Sequence, residues 1–156
     1  WLRSDLAASL RKAEETGMPA VAIELSDGQV ITGKTSSLLG ASSAALLNAL
    51  KVLAGLDDSL HLIAPEVIEP IQHLKISHLG NHNPRLHTDE TLIALSISAV
   101  TDPNAERAME HLAELSGCDA HSTVILSQVD TDVFRKLGVN MSCEPRYQTK
   151  KLYHKR

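Results

Sequence analysis

Asp27-Gly28 is the feature that most restricts what this chain can become. It stands between two short apolar runs, residues 20–25 and 29–32, and a DG pair in that setting closes a tight antiparallel hairpin because glycine accepts the positive φ the turn demands. Every later stretch with strand character is separated from the next by a helical pattern. An early antiparallel pair followed by helix-separated strands predicts a mixed sheet with helices on both faces. The expected class is α/β, as a three-layer αβα sandwich.

The helical patterns are read from apolar spacing. Leu2, Leu6, Leu10 and Ala13 share one face, and Gly17 ends the run. Ser42 or Ser43 is the expected cap of a helix to about residue 54, stopped by Gly55. Residues 61–64 read as a buried strand. Pro65 or Pro70 begins the next helix, which Gly80-Asn81 ends. Thr88, Asp89 and Glu90 form the acidic first turn of a helix through about residue 100, although Ile93, Leu95, Ile97 and Ala99 also alternate as a strand would; helix is the choice. A helix over 103–115, a β-branched strand over 122–126, a short helix over 131–137 and a last strand over 139–143 complete the order. The opening order is also that of the cytidine deaminase-like topology, a comparison of order alone.

Composition removes several function classes. The 156 residues suit one domain spanning 1–156, and 43% hydrophobic with 22% charged residues is ordinary for a globular chain. Aromatics at 3% leave little to stack on bases, which argues against single-strand nucleic-acid binding. A basic tail over 145–156 carries Arg146, Lys150, Lys151, Lys155 and Arg156 and no acid; removing those five of 15 bases leaves ten against 19 acids, a net charge of −9. Such a tail docks more readily on its own acidic body than on DNA, so no nucleic-acid partner is expected. Cys118 and Cys143 are too few for a disulfide scaffold, and no apolar run is long enough for a membrane span. A cytoplasmic protein without a membrane partner is the expectation, and a chain that begins at Trp1 inside a helical pattern reads as part of a longer polypeptide.

Gly28-Gln29-Val30-Ile31-Thr32-Gly33-Lys34-Thr35 matches the phosphate-loop pattern, yet its first glycine lies in the hairpin turn and its middle in a strand, so it cannot form one loop around a phosphate. The stretch that follows is better placed. Lys34, Thr35, Ser36, Ser37, Ser42 and Ser43 link the carboxyl end of a strand to the start of a helix, where free amides, hydroxyls and a lysine suit a phosphate or carboxylate. The competing reading is that the serines only cap and turn the chain. Glu66 and Glu69, at the next helix start, are candidate acid and base groups, provided the two helix starts share a cleft.

His73, His78, His82 and His87 fall within fifteen residues, but no HExxH spacing is present. His82 and His87 are weak metal candidates, and His87 is also a candidate for handling protons. His121 could face Cys118 or Cys143, and buried inert thiols are the simpler reading.

The strings Ile31-Thr32-Gly33-Lys34-Thr35-Ser36-Ser37-Leu38-Leu39-Gly40-Ala41-Ser42-Ser43 and Asn83-Pro84-Arg85-Leu86-His87-Thr88-Asp89-Glu90 resemble a bacterial family catalogued as domain-of-unknown-function family 1846. The segments from Gly117 to Leu126 and from Lys150 to Lys155 match it as well. The resemblance covers the whole chain and implies the final third of a several-domain protein, with a deaminase-like sandwich and a glycine-rich nucleotide loop upstream. It carries over no catalytic residue and names no cofactor. The expectation is therefore a domain that completes a small-molecule site for a phosphate- or nucleotide-like anion together with N-terminal domains of the same polypeptide, in a homo-oligomer. The reading from a different class is a structural or oligomerisation module.

Overall fold

A computed structural model describes residues 3–147; of the basic tail expected at 145–156, residues 148–156 lie outside the described residues. The element order is α1 Ser4–Thr16, β1 Ala20–Glu24, β2 Val30–Lys34, α2 Ala41–Leu53, α3 Pro65–His73 continued by a π-helical turn Leu74–His78, α4 Thr88–Ser98, α5 Pro103–Glu110 with a 3₁₀ turn Leu112–Leu115, β3 Asp119–Ser122, α6 Gln128–Leu137 and β4 Asn140–Cys143.

The hairpin forms where the sequence places it. Gly28 has φ +88°, its amide donates to Leu25 O at 2.9 Å, and Asp27 Oδ1 accepts from the Gln29 amide at 3.0 Å. Four strands then lie in the order β2-β1-β3-β4. β1 is antiparallel to both neighbours, with Ala22 facing Thr32 on one side and His121 on the other, whereas β3 and β4 are parallel. The sheet is therefore mixed, and β2, β3 and β4 all deliver their carboxyl ends to one edge.

Alternation along β1 sorts the layers. Val21, Ile23 and Leu25 join Leu46 and Leu50 of α2, Leu95 of α4 and Phe134 of α6 in one apolar core. Ala20 and Ala22, equally buried, lie outside that cluster on the face crossed by α1. Helices thus cover both faces, and the chain's sole phenylalanine sits at the centre of the larger layer.

α2 lies unusually close to the sheet because of Gly33. A Cβ at that position would fall 2.1 Å from Ala45 N and 2.6 Å from Ala44 C, so strand and helix meet backbone to backbone. That contact seats the start of α2 directly over the end of β2.

Several expectations need correction. Residues 61–64 form no strand: Leu62 and Ile63 are buried, but the Lys51 ammonium takes the neighbouring carbonyls of Asp58 (2.7 Å) and Leu60 (3.3 Å), serving backbone groups that a sheet would otherwise pair. β3 ends at Ser122 instead of beginning there, because the Thr123 hydroxyl accepts from the Ala20 amide at 3.0 Å and Ser122 Oγ donates to Val124 O, turning the chain out of the ladder. α2 is capped by Gly40, two or three residues before the serines expected in that role. The helix expected over 131–137 starts earlier, with Ser127 as its cap.

Candidate functional site

Beyond the carboxyl ends of β2 and β3 lies a pocket of about 370 Å³, a size suited to a small molecule. Open α/β sheets bind ligands at this edge because helices begin there. Three do so here: Gly40 and Ala41 open α2, His87 precedes α4, and Ser127 precedes α6, and all border the pocket. Val124, Ile125 and Leu126 supply an apolar wall.

The three starts are not equivalent. Ser127 Oγ accepts from the Asp130 amide at 3.2 Å, so α6 is capped by its own residue. α4 is capped across space: Asp130 Oδ1 accepts both the Thr88 amide (2.9 Å) and the Thr88 hydroxyl (2.7 Å). Among the described residues no side chain caps α2. Gly40 adopts an ordinary extended conformation (φ −67°, ψ 161°), and a Cβ there would meet only Leu86 O at 3.7 Å. Neither backbone nor space requires glycine, and its effect is to leave the first amides of a 13-residue helix uncovered.

Beside that helix start, Thr35 Oγ1 and Ser42 Oγ are buried, border the pocket and have no hydrogen-bond partner. Both residues are 3% exposed. Among the described residues only one other buried side-chain oxygen, Asp5 Oδ1, shares that condition. Buried hydroxyls are nearly always satisfied, and leaving one bare costs about 1–3 kcal/mol, so two at one wall stand out from the rest of the described residues.

The other candidates from this stretch are used differently. Ser43 is fully buried and engaged, donating to Leu86 O (3.1 Å) and accepting from Thr91 Oγ1 (2.8 Å). Ser36 Oγ accepts the Leu38 and Leu39 amides and shapes the loop. Ser37 is exposed, its carbonyl held by Gln72, and exposed Lys34 does not border the pocket. The phosphate-loop pattern is split between turn and strand, as its context predicts.

The segment 83–90 forms the opposite wall. It is tied to the serine loop by a parallel bridge, Leu39 to Leu86, so two strings that carry the family resemblance meet at the pocket. Buried Arg85 borders the pocket, and its Nε donates to Ser36 O. His87 is half-buried there, with Nδ1 3.4 Å from Glu90 Oε1. The bond to Glu90 raises the imidazole pKa above its ordinary value, burial opposes this, and the Asp130 charge adds to the rise. Burial pushes the Glu90 carboxyl up, but hydrogen bonds from His87 and from Lys75 (2.7 Å) outweigh it and hold it at about 2. The pocket rim thus carries an arginine and a histidine whose pKa is raised.

Glu66 and Glu69 are exposed and do not border the pocket; the structure pairs the start of α2 with those of α4 and α6, not with that of α3. His82 shares with His87 a shallower depression lined by Lys75 and Asn83, and among the described residues no group of three or more His, Cys, Asp or Glu is placed to hold a metal. His121 faces neither cysteine: its Nδ1 lies 2.7 Å from Ser142 Oγ and its Nε2 3.0 Å from Glu144 Oε2, and at 2% exposure it is closed to substrate. Asp130 is the residue that sequence reasoning missed. Ser127-Gln128-Val129-Asp130 is a capping-type motif that could have moved the helix start forward and placed this acid at the pocket.

These features define a three-layer α/β domain with a polar pocket at the carboxyl ends of its strands. The chain belongs to the family described as "Domain of unknown function DUF1846, C-terminal", whose model matches residues 2–153. It is 59% identical over 154 residues to a UPF0371 protein of Corynebacterium efficiens, covering 99% of this chain and 31% of that protein. It is 61% identical over 143 residues to a UPF0371 protein of Corynebacterium diphtheriae (92% and 29%), and 55% identical over 148 residues to one of Streptococcus pyogenes serotype M5 (95% and 30%). The chain spans about three tenths of the length of these relatives. No helix among the described residues is long and apolar enough to cross a membrane.

Proposed function

We propose that this domain supplies the anion-binding wall of a small-molecule site, taking a phosphate or carboxylate, which the remaining part of a longer polypeptide completes. The observation that carries this reading is the pair of buried, unpartnered hydroxyls of Thr35 and Ser42 beside the uncapped start of α2. An anion there would receive both hydroxyls and the first amides of the helix in a favourable dipole field. Arg85 and His87 add positive charge from the facing wall, and His87 is the group placed to give or take a proton.

The test uses the full-length polypeptide, with inorganic phosphate and a nucleoside monophosphate as probes in a thermal-shift titration. Wild type gains melting temperature with either anion; Thr35→Val combined with Ser42→Ala loses that gain while melting no lower than wild type without ligand. A double variant that keeps the ligand-induced gain, or that melts several degrees lower alone, overturns the reading.

A second reading, an oligomerisation surface, rests on α4. That helix buries Thr91, Ala94 and Leu95, yet its outer side exposes Ile93 (59%) and Ile97 (62%), followed by Val100 (82%). A helix apolar on both sides serves an additional interface. Sedimentation of the full-length polypeptide with Ile93→Glu and Ile97→Glu separates the readings: a smaller assembly with intact anion binding assigns α4 to association alone.

A further inference from the structure

Asp130 carries the reading one step further. Its Oδ1 is fully used, accepting twice from Thr88. Its Oδ2 takes no hydrogen bond among the described residues, and Asp130 lines the pocket. The pocket therefore has two chemically opposite ends. One end offers donors only: two hydroxyls and the open start of α2. The other offers a carboxylate oxygen, which accepts and does not donate.

Such a pair of ends excludes some ligands. A bare anion fills the first end and leaves the carboxylate oxygen facing empty polar space. A ligand with a second anionic group would set like charges together in a pocket of about 370 Å³. What satisfies both ends is one anionic group joined through a short carbon body to a hydrogen-bond donor, with the apolar wall of Val124, Ile125 and Leu126 against the carbon. This criterion alone admits a neutral or a cationic donor. Asp130 takes both of its own bonds from the neutral donors of Thr88, and a neutral hydroxyl extends that set of partners.

Resting on the anion-binding reading above, we infer that the ligand is a phosphate monoester of a polyhydroxy compound, of the sugar-phosphate class, with its phosphoryl group at the start of α2 and a hydroxyl donating to Asp130 Oδ2. A hydrogen bond to a charged acceptor of this kind is among the stronger ones, and it reads out as discrimination between ligands that share the phosphate and differ in the donor.

Four probes on the full-length polypeptide test this by calorimetric titration: inorganic phosphate, methyl phosphate, ribose 5-phosphate and phosphoethanolamine. Ribose 5-phosphate is expected to bind about tenfold or more tightly than methyl phosphate, with phosphoethanolamine below ribose 5-phosphate. Asp130→Asn keeps an oxygen for Thr88 and replaces the free carboxylate oxygen by an amide. In that variant the advantage of ribose 5-phosphate should shrink to less than about threefold, while inorganic phosphate binds as well as or better than in wild type. The ligand series on wild type stands without the variant should the substitution unfold the protein. If inorganic phosphate and methyl phosphate fail to bind wild type, the anion-binding reading itself is overturned. If they bind and ribose 5-phosphate shows no advantage, or if phosphoethanolamine binds best, only the sugar-phosphate inference is lost.

Discussion

The starts of α2 and α3 look alike in sequence and behave differently in the folded protein. Each follows a turn, and each gathers polar residues suited to ligand chemistry: hydroxyls at Thr35 and Ser42, carboxylates at Glu66 and Glu69. At α2 the side chains are buried without partners beside an uncapped helix; at α3 they are exposed and solvated. Acids in the first turn of a helix need no ligand, because the helix dipole and water already favour them. A buried hydroxyl without a partner has no such explanation. Burial without satisfaction, more than residue type, sets the start of α2 apart from that of α3.

The contrast depends on how closely α2 approaches the sheet, so the largest effect is expected at Gly33. Gly33→Ala sets a Cβ against the backbone of Ala45 and should cost about 3 kcal/mol, or roughly 6–12 °C of melting temperature for a domain of this size. A variant that melts within a degree or two of wild type would show that strand and helix do not meet as described. The adjacent serines come next. Ser43→Ala removes a hydroxyl that serves Leu86 and Thr91 and should destabilise by about 1–3 kcal/mol, whereas Ser42→Ala should be neutral or slightly stabilising without ligand. Equal losses at both positions in chemical denaturation would erase the distinction between them. At α3, Glu66→Gln with Glu69→Gln should stay within about 0.5 kcal/mol of wild type and leave anion binding unchanged; a loss of binding would restore the two-helix cleft.

The smallest effect is on pH. His87 has its folded pKa raised above 6.5, so its contribution to stability is complete below 6.5 and is lost as pH rises through the folded value. Glu90, held at about 2 against 4.5 when free, contributes fully above 4.5 and loses its contribution as pH falls toward 2. The pair is therefore at full strength between about 4.5 and 6.5. Sulfate, whose charge is constant over this range, should bind less well as pH rises past His87's folded pKa, and His87→Gln should flatten that profile. A wild-type profile that is already flat would remove His87 from the anion's surroundings.

Local signals in the sequence were sufficient wherever one residue dictates the backbone. Asp27-Gly28 locates the hairpin, Pro65, one of the two prolines expected in that role, opens α3, and Gly17 and Gly138 close α1 and α6 with positive φ. Long-range partners were not legible. Residues 122–126 have strand-forming side chains, but Thr123 is claimed by Ala20, 103 residues away, and the chain leaves the sheet. Leu62 and Ile63 are as apolar as a strand, yet Lys51 answers the carbonyls nearby. In the site, the serine-rich segment was visible as a helix start, and His87 as a histidine in a suggestive cluster. That Ser42 is free while Ser43 is occupied depends on Leu86 and Thr91, more than forty residues downstream. Asp130 escaped because its role is to cap a helix other than its own.

Gly40 sets stability and recognition against each other at one residue. Its backbone suits any amino acid and its surroundings have room, so Gly40→Asp would place a carboxylate where the proposed anion would sit, and the helix would carry its own counter-ion. The result would be a sturdier protein closed to the proposed anion, occupied from within by a permanent mimic. A mutational screen scored on folding alone would select that change, and one scored on ligand response would reject it.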